Sequence, residues 1–232
     1  MSEIHAMNDD SRKMLAAISN HLGGSLNVDS LRYLAASLDT SVYVEREMSS
    51  AKRFANALDL LSFSISNIAI KGRILEFGVY SGTSVNHIAS LIGHNTVYGF
   101  DSFEGLPEDW RDDLGKGAFA LSTVPPVKQN VILVKGWFDR TLPKFVEEMN
   151  GEPIALLHVD CDLYSSTQTI FAALKNSIVP GTIIVFDEYF NFPNWRAHEF
   201  LAFEQFVSAY NRSYEYIGLV PTHQQVAVRI LK

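Results

Sequence analysis

Tyr214-Glu-Tyr-Ile-Gly-Leu219 and Gln225-Val-Ala-Val-Arg-Ile-Leu231 are two strand-like runs with five residues between them. A parallel crossover needs roughly a dozen residues or more, so these two strands must pair antiparallel. The chain upstream is organised differently. Ile74–Phe77, Thr96–Phe100, Val131–Val134, Ile154–Val159 and Thr182–Phe186 are short apolar runs, each followed by room for a helix. Val85, Ile88, Ala89 and Ile92 form one helical face, and helices are expected over 142–149, 166–178 and 197–210.

Alternating strands and helices make a parallel sheet covered on both faces. Five such units closed by a hairpin predict an α/β fold with a mostly parallel seven-stranded sheet and a C-terminal antiparallel β-hairpin. That is the outline of the Rossmann-like class I methyltransferase fold. A dinucleotide-binding domain would more often continue β-α-β at this point. Residues 1–70 read as an N-terminal helical extension and 71–232 as the main domain. Segments near 10–22 and 28–38 are short helices broken by Gly23-Gly24. A stronger helix is expected over 44–70, where Met48, Ala51, Ala55, Leu58, Leu61, Ile65 and Ile68 recur every three or four residues. It is expected to act as a lid over an acceptor pocket or as a subunit interface.

Of the 232 residues 47% are apolar, one is cysteine, and the formal charge is −7. No basic stripe marks a nucleic-acid surface. No apolar run approaches the ~18 residues of a membrane span. The start, Met-Ser-Glu-Ile-His, lacks a basic region followed by an apolar stretch, so a cytoplasmic protein is expected. The lone cysteine excludes an internal disulfide and the usual zinc sites.

The first strand ends Glu76-Phe-Gly78-Val-Tyr80-Ser81-Gly82-Thr83. Glycine there lets the backbone turn sharply and lets a ligand approach, and ligands of open α/β sheets lie at the carboxyl ends of strands. Glu76 can reach a ligand amine directly or through water. The loop lacks G-x-G-x-x-G, which a ligand without a phosphate does not need. Asp101, followed by Ser102, ends the second strand 25 residues after Glu76, where a carboxylate can accept from both ribose hydroxyls. The pair points to a nucleoside-bearing ligand such as S-adenosylmethionine. An ordinary βα turn and a turn aspartate stay open as readings.

Strands four and five end in Asp160-Cys161-Asp162 and Asp187-Glu188. Neighbouring strands lie about 4.8 Å apart, so Asp160, Asp187 and Glu188 would surround one point. Clustered carboxylates repel unless a cation sits between them, and hard oxygen ligands suit Mg²⁺, Mn²⁺ or Ca²⁺. These acids can equally cap the following helices or face solvent, and Asp162 suits capping a helix from about Ser165. His158 reads as a core histidine and Cys161 as a packing residue.

These stretches carry a family likeness. Glu76–Gly82, Gly99-Phe-Asp-Ser-Phe-Glu-Gly-Leu-Pro107, Lys135-Gly-Trp-Phe138 with Thr141-Leu-Pro143, His158-Val-Asp-Cys-Asp-Leu-Tyr164 and Pro180-Gly181 leading to Phe186-Asp-Glu-Tyr189 resemble the macrocin O-methyltransferase family over residues 70 to 207. The resemblance implies Mg²⁺-dependent O-methylation of a sugar hydroxyl, with Asp160, Asp187 and Glu188 as metal ligands. One departure stands out: the family has Asp where Glu188 is. The acid positions are also similar to those of catechol-type O-methyltransferases. The resemblance places Gly136, Trp137 and Phe138 near the cofactor, where an aromatic can stack on adenine. It also implies dimers or tetramers.

His198 is a general-base candidate because its pKa lies near neutrality; Arg196, Trp110 and Trp195 are acceptor-pocket candidates. Asp160 counts as both catalytic and cofactor-binding. The expected function is metal-assisted, S-adenosylmethionine-dependent O-methylation of a small-molecule sugar or vicinal-diol hydroxyl. The competing readings are an NAD-linked oxidoreductase, a family resembling cephalosporin hydroxylases, and a non-catalytic methyltransferase-fold binding module.

Overall fold

Asn27 opens the first helix whose bounds lie within the described residues of the computed structural model, its side chain accepting the Asp29 N–H at 2.9 Å. The structure describes residues 13, 16, 27–111 and 114–232; the expected helix near 10–22 therefore lies almost wholly outside the described residues. Helix α1 (Val28–Glu47) continues well past the expected end at 38. The single helix expected over 44–70 is not formed. Instead α1 closes at Met48, the chain makes the short strand β1 (Lys52–Arg53), and a new helix α2 (Ala57–Ser66) starts at Asn56. Asn56 caps it by accepting the Asp59 N–H at 2.9 Å, which satisfies an otherwise orphaned helix donor. The apolar spacing across 44–70 is real but serves two faces. Met48 and Ala51 join one core cluster, whereas Leu61, Ile65 and Ile68 join another.

The main domain follows as β2 (Arg73–Phe77), α3 (Thr83–Leu91), β3 (Val97–Asp101), β4 (Val131–Lys135), α4 (Phe138–Met149), β5 (Ile154–Val159), α5 (Tyr164–Leu174) and β6 (Ile183–Phe186). A 3₁₀ turn at Trp195–Ala197 precedes α6 (Glu199–Ala209), and β7 (Tyr214–Leu219) and β8 (Val226–Ile230) complete it. The sheet order is β1-β7-β8-β6-β5-β2-β3-β4, eight strands among the described residues. The strand beyond the expected seven is β1, which pairs parallel with β7 at Lys52↔Gly218 and Arg53↔Leu219. Only β8 runs antiparallel, against both β6 and β7. The hairpin is therefore as read, with β8 inserted beside β6 and β7 displaced outward.

Side chains on successive strand residues face opposite sides. On β6, Ile183 and Val185 pack with Ile74, Leu61 and Leu156, while Ile184 and Phe186 pack with Leu75, Phe77, Leu157 and Val159. Every residue of β5 and β6 is buried. The open position for polar chemistry is the carboxyl edge of the sheet, where β2, β3, β4, β5 and β6 all end. Among the described residues, no helix is long and apolar enough to cross a membrane.

Candidate active site

The turn after β2 is built on Gly78, whose φ of +95° favours glycine and where an added Cβ would lie 1.6 Å from the Asp160 carbonyl oxygen. Without a Cβ the loop settles directly on the end of β5. Asp101 holds it there. Its Oδ2 accepts the Val79 and Tyr80 N–H groups at 2.9 and 2.8 Å, and its Oδ1 accepts the Phe103 N–H at 2.7 Å. Asp101 thus organises the loop backbone as well as lining the cavity beside it.

That cavity has a volume of about 560 Å³ and spans the ends of β2 to β6. Gly78, Tyr80, Asp101, Ser102, Trp137 and Phe138 form one end of its wall, and Asp160, Asp162 and Glu188 belong to the same wall. Ser81, Gly82 and Thr83 do not line it; they form the first turn into α3, with Gly82 at the cap. Gly136 also lies off the wall, donating its N–H to the Asp101 carbonyl at 2.9 Å.

Glu76 sits behind the loop, fully buried and off the cavity wall. Its carboxylate meets His158 Nδ1 at 2.9 Å and accepts the Ser84 hydroxyl at 3.1 Å. Burial raises the Glu76 pKa against the opposing His158 contact. Burial also disfavours the charged His158 ring, but Glu76 outweighs it and the His158 pKa is raised too. Both directions keep a proton on this pair.

Residue parity sorts the acids. His158, Asp160 and Asp187 continue the side of the sheet occupied by Leu156, Ile183 and Val185, and their ligand atoms lie within 4.8 Å of one another. Glu188, one residue on, falls outside that triad, in which His158 takes the third place expected for it. It lines the cavity, and its Oε2 is buried without a hydrogen-bond partner. Gln225 donates to Asp187 Oδ1 at 3.1 Å. Burial, reinforced by the neighbouring carboxylates, lifts Asp160 and Glu188 well above the ordinary acid range.

Asp162, whose spacing in the sequence suits a helix cap, has a different place in the structure: it lines the cavity. Helix α5 starts at Tyr164 with no side-chain cap, so Asp162 is not its cap. Its φ is +65°, a backbone state uncommon outside glycine. Burial pushes its pKa up to about 7, with Arg111 pulling the other way.

The cover of the cavity comes from the loop after β3. Leu106 and Trp110 pack with Leu163, and Arg111 lies over the Trp110 ring at 3.7 Å. Phe119 meets Tyr80 edge-on at 5.5 Å. None of the described residues of the 1–70 extension lines this cavity, whereas Leu106, Pro107, Trp110, Arg111 and Phe119 of the loop after β3 do. Trp110 is on the wall as anticipated, but Trp195 is packed away against Tyr43 and Phe200. Arg196 makes a two-pronged contact with Asp39 of α1 at 3.0 and 3.1 Å, away from the wall. His198 also lies off it, packed against Phe192 at 5.5 Å, with burial and then Arg111 lowering its pKa.

Comparison with known proteins accords with this geometry. A curated relative from Streptomyces olivaceus, 8-demethyl-8-(2,3-dimethoxy-alpha-L-rhamnosyl)-tetracenomycin-C 4'-O-methyltransferase, is 28% identical over 163 residues. That match covers 57% of this chain and 59% of the relative, less than two thirds of its length. The calicheamicin methyltransferase CalS11 superposes with a TM-score of 0.60 at 25% identity, over 74% of this chain and 76% of its own. The O-methyltransferase NovP (TM-score 0.58, 20% identity, 75% of this chain and 79% of its own) shares the fold. So does a Bacillus cereus O-methyltransferase in complex with SAH (TM-score 0.51, 15% identity, 93% and 97%). These likenesses give the class I methyltransferase fold expected from the hairpin. Residues 35–208 match the macrocin-O-methyltransferase (TylF) family, and the chain belongs to that family.

Proposed function

We propose that this protein is an S-adenosylmethionine-dependent O-methyltransferase acting on a sugar or vicinal-diol hydroxyl of a small molecule, with a divalent cation assisting. One observation carries the reading: a single cavity joins the glycine turn and Asp101 to Asp160 and Asp162. The cofactor is assigned to the end lined by Gly78, Tyr80, Asp101 and Ser102, with Trp137 and Phe138 offering aromatic surface to adenine. The family match and the rhamnosyl-directed relative favour a sugar acceptor. The closing hairpin and the absent phosphate-binding glycine pattern disfavour the NAD-linked alternative.

The donor set fits a hard cation. Asp160 and Asp187 would hold it, with His158 or Glu188 completing the set. The convergence of the triad within 4.8 Å and the unpartnered buried Glu188 Oε2 support this. The Nδ1 contact of His158 with Glu76 has the arrangement that orients metal-binding histidines. When bound, Mg²⁺ or Mn²⁺ supplies Lewis-acid polarisation of an acceptor oxygen.

The protein's own residues do the rest. The acceptor oxygen attacks the methyl carbon, the carbon–sulfur bond breaks with its electron pair going to sulfur, and Asp162 takes the hydroxyl proton. Asp162 replaces His198 as general base because it lines the cavity and His198 does not. The sulfonium is already a good leaving group, so in-line positioning and deprotonation supply most of the acceleration. The loop carrying Trp110 and Arg111 limits water.

Calorimetry with S-adenosylmethionine, with and without Mg²⁺, tests the assignment. Micromolar binding, together with an Asp162→Asn variant that keeps it while losing about 10²- to 10⁴-fold in kcat, supports it. No binding in either condition, or tight NAD binding in its place, removes it.

A further inference from the structure

Val159 and Phe186 are the last paired residues of the parallel ladder between β5 and β6, and Phe186 and Val226 the last of the antiparallel ladder between β6 and β8. One residue further on, the same register sets Asp187 between Asp160 on one side and Gln225 on the other. Asp187 thus has another carboxyl group at one flank and an amide at the opposite one. Side chains facing each other across strands in this way interact directly. Gln225 is 3% exposed and lies off the cavity wall. It also lies beyond residues 35–208, the stretch matched to the family.

Gln225 Nε2 donates to Asp187 Oδ1 at 3.1 Å and meets His223 Nδ1 at 2.9 Å. An amide nitrogen has two hydrogens, so one serves each partner and His223 accepts at Nδ1. Reversing the amide would set Oε1 against Asp187 Oδ1, acceptor against acceptor, so the nitrogen belongs at the acid. Gln225 Oε1 is left buried without a partner, which is unfavourable for a polar atom. A leucine or methionine would fill the place without that penalty, so packing alone does not account for a glutamine here. The turn that carries Gln225 is itself fixed. The Val220 N–H donates to the Gln225 carbonyl, the Tyr189 N–H to the Gln224 carbonyl and Asn191 Nδ2 to the His223 carbonyl, each at 3.0 Å. Helix α1 holds Asn191 in turn: the Ser37 hydroxyl donates to its side chain at 2.8 Å, and its N–H donates to Thr40 at 3.0 Å.

We propose that Gln225 is a positioning residue that holds the Asp187 carboxylate in the orientation in which it converges with His158 and Asp160, with the turn between β7 and β8 as its mount. The metal-binding consequence rests on the metal-assisted reading above; the positioning itself does not.

The test compares Gln225→Met and Gln225→Asn with the unaltered protein. Methionine has the length of glutamine and no donor. Asparagine keeps the amide but is one methylene shorter, so it cannot reach Asp187 and His223 together, and it serves if the methionine variant does not fold. Crystal structures of the metal-free proteins read the positioning directly. The Asp187 carboxylate should leave its place beside Asp160 and His158 by about 1 Å or more, the scale of misplacement that spoils a site. Titration with Mn²⁺ alone reads the consequence: the variants should bind about 10- to 100-fold more weakly, the scale of other outer-shell changes. S-adenosylmethionine affinity should hold, since Gln225 does not line the cavity.

An Asp187 carboxylate that stays in place in the variants overturns the positioning. So does a Mn²⁺ affinity equal to the original, or one that falls in step with S-adenosylmethionine affinity, the mark of general loosening and not of one misplaced acid. An original protein that binds no Mn²⁺ removes the metal reading, and the place of Asp187 in the metal-free structures still decides the role of Gln225.

Discussion

Replacing Gly78 by alanine should disable the site with little ambiguity about cause. Two effects add. The φ of +95° disfavours any side chain, at about 1–2 kcal/mol for a left-handed residue. In addition, the new Cβ would stand 1.6 Å from the Asp160 carbonyl oxygen, where contacting atoms prefer about 3.5 Å or more. Relief needs a movement of roughly 2 Å between the β2 turn and the β5 end. That movement strains the Asp160 N–H to Phe77 carbonyl bond of 2.9 Å and displaces the Asp160 side chain. Misplacement of about 1 Å can cost 10²-fold in rate, so kcat should fall at least that far and S-adenosylmethionine affinity about tenfold or more. Gly93→Ala is the control. Its φ is +64° and nothing lies within 4 Å of an added Cβ, so it carries the conformational cost alone, about 2–4 °C in Tm per kcal/mol. Calorimetry and thermal melts on both variants measure the difference. A Gly78→Ala protein that binds the cofactor within twofold of the original and melts like Gly93→Ala would refute the contact argument.

Trp137→Ala should weaken cofactor binding roughly 5- to 150-fold, on a stacking contribution of about 1–3 kcal/mol, with the melting temperature little changed; unaltered affinity removes Trp137 from the adenine end. Asp162 stands at about 7 in the folded chain against an ordinary 3.8. Between those values the folded state keeps a proton that the unfolded state has lost, so metal-free stability should decline as pH rises from about 4 to about 7. Asp162→Asn should flatten that slope in melts. Mn²⁺ requires deprotonated carboxylates, so its stabilising effect should grow over the same range, and pH-independent stabilisation counts against the cluster as the metal site. Arg196→Ala should cost no more than about 1 kcal/mol, because the pair with Asp39 is close to half exposed on both sides (44% and 46%). Its kcat should not move, and a large loss of activity would return Arg196 to the acceptor pocket.

What the sequence revealed depended on whether a signal was local. Val159-Asp160 and Phe186-Asp187 each end an apolar run in an acid, and that abruptness located the carboxyl edge without any structure. The hairpin was equally legible, because the residues between Leu219 and Gln225 leave no room for a helix. The 44–70 region misled because three-and-four spacing is blind to which core each residue faces. Met48 and Leu61 satisfy one pattern while packing on opposite sides of the sheet. The signal that breaks it is Asn56 followed by Asp59, a helix start. Glu76 read as a ligand because it precedes the glycine turn. Its partner His158 is 82 residues away, and no spacing rule reaches that far. Exchanging His158 for Glu188 in the compact triad follows from counting alternate residues, forward from Val185 to Asp187 at the end of β6 and back from Asp160 to His158 at the end of β5, which the sequence permits.

The place of β8 has a consequence for how the molecule is made. The strand that occupies residues 226–230 is read after every other, yet it sits between β6 and β7. Until it arrives, Ile183–Phe186, buried on both faces in the finished sheet, presents an open apolar edge of the kind that recruits foreign strands. During synthesis the half-built sheet is therefore sticky along a strand that becomes internal only when the sheet is complete, and neither β7 nor the β1 strand paired to it can join the sheet first. Conditions that slow the arrival of residues 226–230 would show up as lost yield before any change in the catalytic constants of the protein that does fold.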